Sequence, residues 1–139
     1  MRPVPRIRAV VTDLDNTLYP WVDYIVPSLE AMVDSLVATT GLPRIRIVQS
    51  LKEVYTRYES NEYPFAIQES DIFKPYEGDF DSFGKLVVDP ARRAFRAARE
   101  RWLKPYPEVV RTLEWIRGQG LTLVALSDAP RNAAELRMK

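Results

Sequence analysis

Carboxylates and hydroxyls that could carry out chemistry follow two apolar runs of this sequence. Asp13, Asp15 and Thr17 come directly after one run, and Ser127 with Asp128 comes after the other. In open α/β sheets, ligands bind at the carboxyl ends of strands, so these side chains converge if the two runs are neighbouring strands. Phosphoryl transfer needs such a cluster. One carboxylate attacks phosphorus while a second moves a proton, and a divalent cation offsets the repulsion between carboxylate and phosphate.

The competing interpretation of the same residues is structural. Asp13 and Asp15 are common turn and helix-cap residues, and a Ser-Asp pair by itself is more often an ordinary helix cap. Residue types and predicted strand ends by themselves leave the two interpretations open.

The composition limits which chemistry is open to the chain. Its 139 residues are 46% hydrophobic and 28% charged, which is typical of one globular domain. The sequence contains no cysteine and no histidine, so thiolate nucleophiles, disulfides and imidazole catalysis are excluded. Lys and Arg total 20 against 19 Asp and Glu, so net charge predicts no particular partner. Catalysis would have to rest on carboxylates, amines, hydroxyls or a bound metal.

Two strands and several helices are predicted to position these groups. Residues 7–12 are continuous in apolar character and predict a fully buried strand, and LTLVALS (121–127) predicts a second. Apolar residues at helical spacing predict four helices, and a further helix begins after Ser127. The four run through Ile25–Val37, Ile47–Tyr58, Val88–Trp102 and Pro107–Ile116. This order of strand, helices and strand predicts an α/β fold.

Three stretches resemble the haloacid dehalogenase superfamily. VVTDLDNTLYP resembles its motif I, DxDxT after a buried strand, and LVALSDAPR resembles its motif II, a Ser or Thr at the end of the second strand. PYPEVVRTLEWIRGQGLTLVALSDAP is similar to the stretch before and through motif II. The resemblance implies the N-terminal part of a Rossmannoid core, with two parallel strands, at residues 1–20 and 105–139. It also implies a helical type 1 cap inserted at residues 21–104.

The resemblance assigns a role to each residue of the cluster. Asp13 would be the nucleophile that becomes an aspartyl phosphate, and its other oxygen would bind Mg²⁺ together with the backbone carbonyl of Asp15. The Asp15 side chain would be the general acid/base, which points to a phosphatase branch because an alcohol leaving group needs that acid. Thr17 would brace the loop, and Ser127, with Asp128 beside it, would bind the phosphate. The implied substrate is a small phosphate monoester.

Two further motifs of the superfamily, a lysine and an acidic pair, come after motif II. Twelve residues follow Ser127 here, and Lys139 stands too close to motif II to serve as that lysine. We therefore expect the chain to be the front portion of a longer phosphatase, with negligible phosphatase activity by itself; an alternative is completion by a partner chain. Two strands with exposed edges also favour self-association.

Parts of the sequence are also compatible with other functions. The chain could be a non-catalytic interaction module built on the helical cap, or its DxD could be the metal–nucleotide motif of a glycosyltransferase. The arginines of ARRAFRAARERWLK lie off the Phe95–Trp102 face, which favours a solvated helix surface over a nucleic-acid patch. The apolar run between the basic N-terminus and Asp13 is too short for a signal-peptide core, and no apolar run reaches the ~18 residues of a membrane span. We expect a cytoplasmic protein with no nucleic-acid or membrane partner.

Overall fold

The regular elements follow the predicted order. The computed structural model describes residues 6–76, 78, 80–129 and 131–138. Lys139, which stands too close to motif II to be the lysine of the superfamily's further motif, lies outside these residues. In chain order the elements are β1 (Ala9–Thr12), α1 (Trp21–Thr40), α2 (Arg44–Arg57), a 3₁₀ helix (Asp71–Tyr76), α3 (Phe80–Phe83), a π-helical turn (Gly84–Val88), α4 (Asp89–Trp102), α5 (Val109–Gly118), β2 (Thr122–Ala125) and α6 (Arg131–Arg137).

The sheet consists of two parallel strands. Ala9 pairs with Thr122, and the register continues to Thr12 opposite Ala125. The Leu126 N–H donates to the Thr12 carbonyl at 2.9 Å, which extends the pairing beyond the strand ends. The predicted fold class, α/β with two parallel strands and a large helical insertion, is confirmed.

The prediction that the first strand is fully buried was wrong. Val11 is 60% exposed and Ile7, which precedes the strand, is 70% exposed. Val124 and Leu126 of the second run are exposed as well. A parallel strand is buried on both faces only where neighbouring strands and helices cover it. Within the described part of the chain, β2 is the one strand that pairs with β1, so continuous apolar character did not translate into burial.

The chain divides into two compact units, Met1–Tyr24 with Arg101–Lys139, and Ile25–Glu100. The helical unit, residues 25–100, has a hydrophobic core of its own. Its buried members are Met32, Val33, Leu36, Ile47, Leu51, Val54, Ala66, Ile67, Phe73, Phe83, Val87, Val88 and Ala91. The other unit buries Leu14, Tyr19 and Tyr24 among its described apolar side chains.

The helix ends follow local chemistry. Gly41 ends α1 with a φ of +71°, a left-handed conformation that glycine adopts without the penalty of a Cβ atom. Its N–H donates to the Val37 carbonyl at 2.9 Å, which satisfies one of the last carbonyls of α1. Asp89 and Pro90 open α4, as the preference of proline for the first turn predicts.

The stretch between α2 and α4, residues 58–88, is rich in aromatic residues, some of which lie in the core and some on the surface. Phe73 and Phe83 are buried, with ring centroids 6.4 Å apart, whereas Phe65 and Tyr76 are exposed. The rings of Tyr58 and Tyr63 stack with their centroids 3.8 Å apart. The pKa of Tyr63 is raised to about 12, mainly because its side chain hydrogen-bonds to that of Tyr58 and to a lesser extent because it is partly buried. Glu77 and Asp79 of this stretch lie outside the described residues.

Over the described ranges, no helix combines the length and the apolar character that crossing a bilayer requires.

Candidate functional site

The loop after β1, residues 13–19, is a tight turn with two buried side chains, Leu14 and Tyr19. Leu14 is 1% exposed, and its carbonyl accepts hydrogen bonds from the N–H groups of Thr17 at 3.2 Å and Leu18 at 2.9 Å. Asp13 is exposed and Asp15 is partly exposed. The sequence therefore presents two carboxylates from a loop that is fixed by its own backbone.

Asn16 connects this loop to α1. It has a φ of +57°, a left-handed conformation that asparagine tolerates better than most residues. Its side-chain Oδ1 accepts a hydrogen bond at 3.0 Å from the N–H of Trp21, the first residue of α1. The loop is thus a turn, and one of its side chains satisfies the start of α1, a role that the structural interpretation gave to Asp13 or Asp15. Asn16 has that role, however, and not Asp13 or Asp15.

Asp13 and Thr17 contact each other at the open side of the loop. The Thr17 hydroxyl donates to Oδ2 of Asp13 at 3.3 Å, and both residues are exposed. A carboxylate has about four lone-pair positions on its two oxygens, so one such bond leaves capacity for a further ligand. Asp13 is therefore held from one side while it stays accessible.

Ser127 and Asp128 lie at the end of β2. The Ser127 Oγ accepts a hydrogen bond from the Ala129 N–H at 3.1 Å, and Asp128 is exposed. A hydroxyl that accepts a bond still has its own proton, which Ser127 can donate to an anion. Since Thr12 pairs with Ala125, Asp13 and Ser127 follow neighbouring parallel strands at the same edge of the sheet. The structure brings the two predicted clusters to one edge.

Asp15 has a partner that the sequence analysis missed. Nη1 of Arg137 lies 3.0 Å from Oδ1 and 2.8 Å from Oδ2 of Asp15. The Arg137 side chain is 1% exposed and that of Asp15 is 23% exposed, so this is a largely buried ion pair. The two residues stand 122 positions apart, and the sequence offers 20 basic residues as candidates. No local signal singles out Arg137, because its partner is defined only by the folded chain.

Two tyrosines form the apolar side of this pair. The Arg137 guanidinium lies 5.6 Å from the ring centroid of Tyr24, within the range of a cation–π contact. The rings of Tyr24 and Tyr19 meet edge to face at 5.9 Å. Burial, and after it the neighbouring Asp15 carboxylate, raises the pKa of Tyr19 far above its usual range. Tyr19 is therefore a neutral phenol, which adds no charge to the site.

The oxygen atoms of the loop determine which metal could bind. Among the described residues, no three His, Cys, Asp or Glu side chains come together as a metal-binding group. The Asp13 carboxylate and the Asp15 carbonyl are hard oxygen donors of the kind that Mg²⁺ prefers. Mg²⁺ is commonly held by one or two carboxylates while waters and substrate phosphates complete its shell. The donor set fits Mg²⁺ in kind, with few protein ligands.

A cleft of about 280 Å³ adjoins this loop within the same unit. Its lining is mostly apolar and comes from β1, the loop and α5, including Val10, Leu18, Val109 and Ile116. Among the described residues that line it, Glu108 is the charged one, and its negative charge does not favour an anionic ligand there.

Comparison with known proteins gave two findings. A family model described as a haloacid dehalogenase-like hydrolase matches residues 7–139. The sequence is also similar to the glyceraldehyde 3-phosphate phosphatase of Methanopyrus kandleri, with 31% identity over 124 residues. That alignment covers 87% of this chain and 51% of the relative, so the chain spans about half the length of this curated protein.

Proposed function

The chain belongs to the haloacid dehalogenase-like hydrolase family, and from this premise we propose that the protein is a Mg²⁺-dependent phosphatase of small phosphate monoesters. The main support is the parallel pairing of β1 and β2, because Asp13 and Ser127 come after these two strands at the same edge of the sheet. A relative named as a phosphatase of glyceraldehyde 3-phosphate, itself a small phosphate monoester, supports the same reaction. We also propose that residues 1–20 and 105–139 belong to the core of the enzyme and that residues 21–104 are its helical cap.

The proposed reaction has two steps. An oxygen of Asp13 forms a bond to phosphorus and the bond from phosphorus to the ester oxygen breaks, while Asp15 in its carboxylic acid form gives that oxygen its proton and becomes the carboxylate. Water then attacks the phosphorus of the aspartyl phosphate and passes a proton to Asp15. This step breaks the bond between Asp13 and phosphorus, releases inorganic phosphate and restores Asp13. Mg²⁺ held by the Asp13 carboxylate and the Asp15 carbonyl would offset the repulsion between carboxylate and phosphate.

The remaining residues bind and orient. Ser127 donates its hydroxyl proton to an oxygen of the transferring phosphoryl group, and Asp128 stands beside it in the same phosphate-binding turn. Thr17 orients Asp13, since its hydroxyl already donates to Oδ2 of that carboxylate at 3.3 Å. In this proposal the side chains that touch the reacting atoms come from the loops after β1 and β2.

The experiment is turnover of an aryl phosphate by the full-length protein, with and without Mg²⁺. We expect turnover that requires Mg²⁺ and that disappears in Asp13→Asn, which serves as the background. Turnover that survives in Asp13→Asn, or that is absent for every phosphate monoester tried, would contradict the proposal.

Thr17→Val tests the orientation of Asp13. Valine keeps the shape of threonine but cannot donate to Asp13, and a hydrogen bond to a charged group contributes about 1.5–3 kcal/mol, less where both groups are exposed. We expect kcat to fall roughly 3- to 10-fold, in line with about 1 kcal/mol. Thr112→Val is the matched control, because the Thr112 hydroxyl donates to the Glu108 carbonyl on α5 instead. Equal kcat values for the two variants would remove Thr17 from the proposal.

A second candidate function is that of a non-catalytic interaction module. It is favoured by the helical unit, which has a core of its own while the described strands remain largely exposed. The two functions predict different results for one variant. Under the module hypothesis, Asp13→Asn leaves the cellular role and partner binding unchanged; under the phosphatase hypothesis the cellular role is lost.

The location and the partners of the protein are also part of the proposal. We propose the cytoplasm as the location and a small phosphorylated molecule as the substrate, with no nucleic-acid or membrane partner. Self-association through the sheet edges is also part of the proposal. It is supported by the exposure of Val11 and Val124 on strands that pair on one side only within the described residues.

A further inference from the structure

Arg137 is a buried cation outside the set of residues given a role above. It is the last residue of α6, and its side chain is 1% exposed. Placing a charge in the interior costs several kcal/mol unless the charge is paired with good geometry. A surface arginine would serve equally well to end a helix, so the position of Arg137 requires a reason in what it contacts.

The contacts of Arg137 constrain the orientation of Asp15. One nitrogen, Nη1, contacts both carboxylate oxygens, at 3.0 and 2.8 Å, so movement of the carboxyl group away from Arg137 lengthens both bonds. The guanidinium is itself confined against the ring of Tyr24, which is fully buried. Arg137 therefore cannot follow Asp15 outward, and the carboxylate is held where it lies.

Asp15 nevertheless keeps an open side. Its side chain is 23% exposed, and Nη1 occupies one lone-pair position on each oxygen out of about four in the group. The open side can exchange a proton while the inner side remains bound to the guanidinium. This arrangement suits a carboxyl group that must meet a leaving oxygen in one fixed place, because proton transfer requires hydrogen-bond distance.

We propose that Arg137 is a positioning residue that holds the Asp15 carboxyl group in place for proton transfer. The inference rests on the proposed phosphatase function and extends it to α6, an element that the sequence analysis gave no role. Arg137 acts through Asp15 and does not touch the substrate. Its contribution should therefore matter only where the departing oxygen needs a proton.

The test compares two substrates that differ in that need. An alkyl phosphate has a poor leaving group that requires a proton, whereas 2,4-dinitrophenyl phosphate departs as a stable anion. In Arg137→Met of the full-length protein we expect kcat for the alkyl phosphate to fall by about 10- to 100-fold, part of what a general acid contributes. For the dinitrophenyl ester we expect a change of less than about 3-fold, with KM unchanged for both substrates.

Two further variants complete the design. Arg137→Lys keeps the positive charge and is expected to restore part of the alkyl-phosphate activity; if Arg137→Met does not fold, the substrate selectivity of Arg137→Lys carries the test. Arg131→Met is the matched control, because Arg131 lies on the same helix with a side chain that is 88% exposed, paired to Glu135. We expect kcat of Arg131→Met to equal that of the wild-type protein on both substrates.

A measurement independent of turnover accompanies the kinetics. The ¹³C signal of the Asp15 carboxyl group, assigned by its loss in Asp15→Asn, is expected to shift in Arg137→Met and not in Arg131→Met. Equal losses on both substrates, or an unshifted carboxyl signal, would overturn the proposal. Absence of turnover in the unchanged protein, with the carboxyl signal still shifting in Arg137→Met, would instead overturn the phosphatase function and with it this catalytic use of the pair.

Discussion

Replacement of Asp13 by asparagine is expected to lower phosphatase turnover by at least about 10³-fold. The amide cannot form the aspartyl phosphate, so the reaction loses its nucleophile, and loss of a single preorganised charge-stabilising group alone costs about 10²–10³-fold. The fold should tolerate the change, because Asp13 is exposed and asparagine can still accept the Thr17 hydrogen bond. The measurement is kcat of the full-length protein for an aryl phosphate at saturating Mg²⁺.

Asp23→Asn is the matched control for this prediction. Asp23 is an exposed aspartate in the first turn of α1, so its replacement removes the same charge without touching the loop. We expect its kcat to stay within about 2-fold of the unchanged protein, as for most surface substitutions. Should the two variants lose activity equally, net charge and not the nucleophile would account for the loss.

Phe73→Ala is expected to destabilise the helical unit by about 3–5 kcal/mol, the usual cost of removing a buried phenylalanine. Phe73 is completely buried in the core of that unit and its ring contacts that of Phe83. Truncation removes the transfer free energy of the ring and leaves a cavity that a close-packed core fills only in part. The measurement is the free energy of unfolding from urea denaturation followed by circular dichroism.

Phe65→Ala provides the comparison. The Phe65 side chain belongs to the same aromatic stretch but is 52% exposed. Its removal should cost less than about 1 kcal/mol, since little apolar area leaves a buried environment. A loss for Phe73→Ala no larger than that for Phe65→Ala would mean that Phe73 does not support the core as its burial indicates.

The sequence predicted the parts of this fold that depend on local periodicity. Apolar residues at helical spacing located α1, α2, α4 and α5. The convergence of the loops after β1 and β2 was also predictable. It follows from a general rule about strand ends in parallel sheets and needs no detail of side-chain packing.

What the sequence did not predict depends on contacts between distant residues. Burial of β1 was overestimated because apolar character shows what a strand can bury against, not what covers it. Arg137 was missed because nothing near it in the sequence identifies Asp15 as its partner. Asn16 was missed as the cap of α1 because two aspartates beside it are equally good candidates by residue type.

The pairing of Ala9 with Thr122 also has a consequence for the order in which the chain folds. Contacts between residues far apart in sequence form slowly, because the entropy of closing the intervening chain must be lost before the contact stabilises anything. Residues 25–100, which lie between the two strands, have their own core and reach the exit of the ribosome before β2 does. We expect this unit to fold first during synthesis and to shorten the effective loop. The edge that carries Asp13 and Ser127 would then be assembled late, once β2 has been translated.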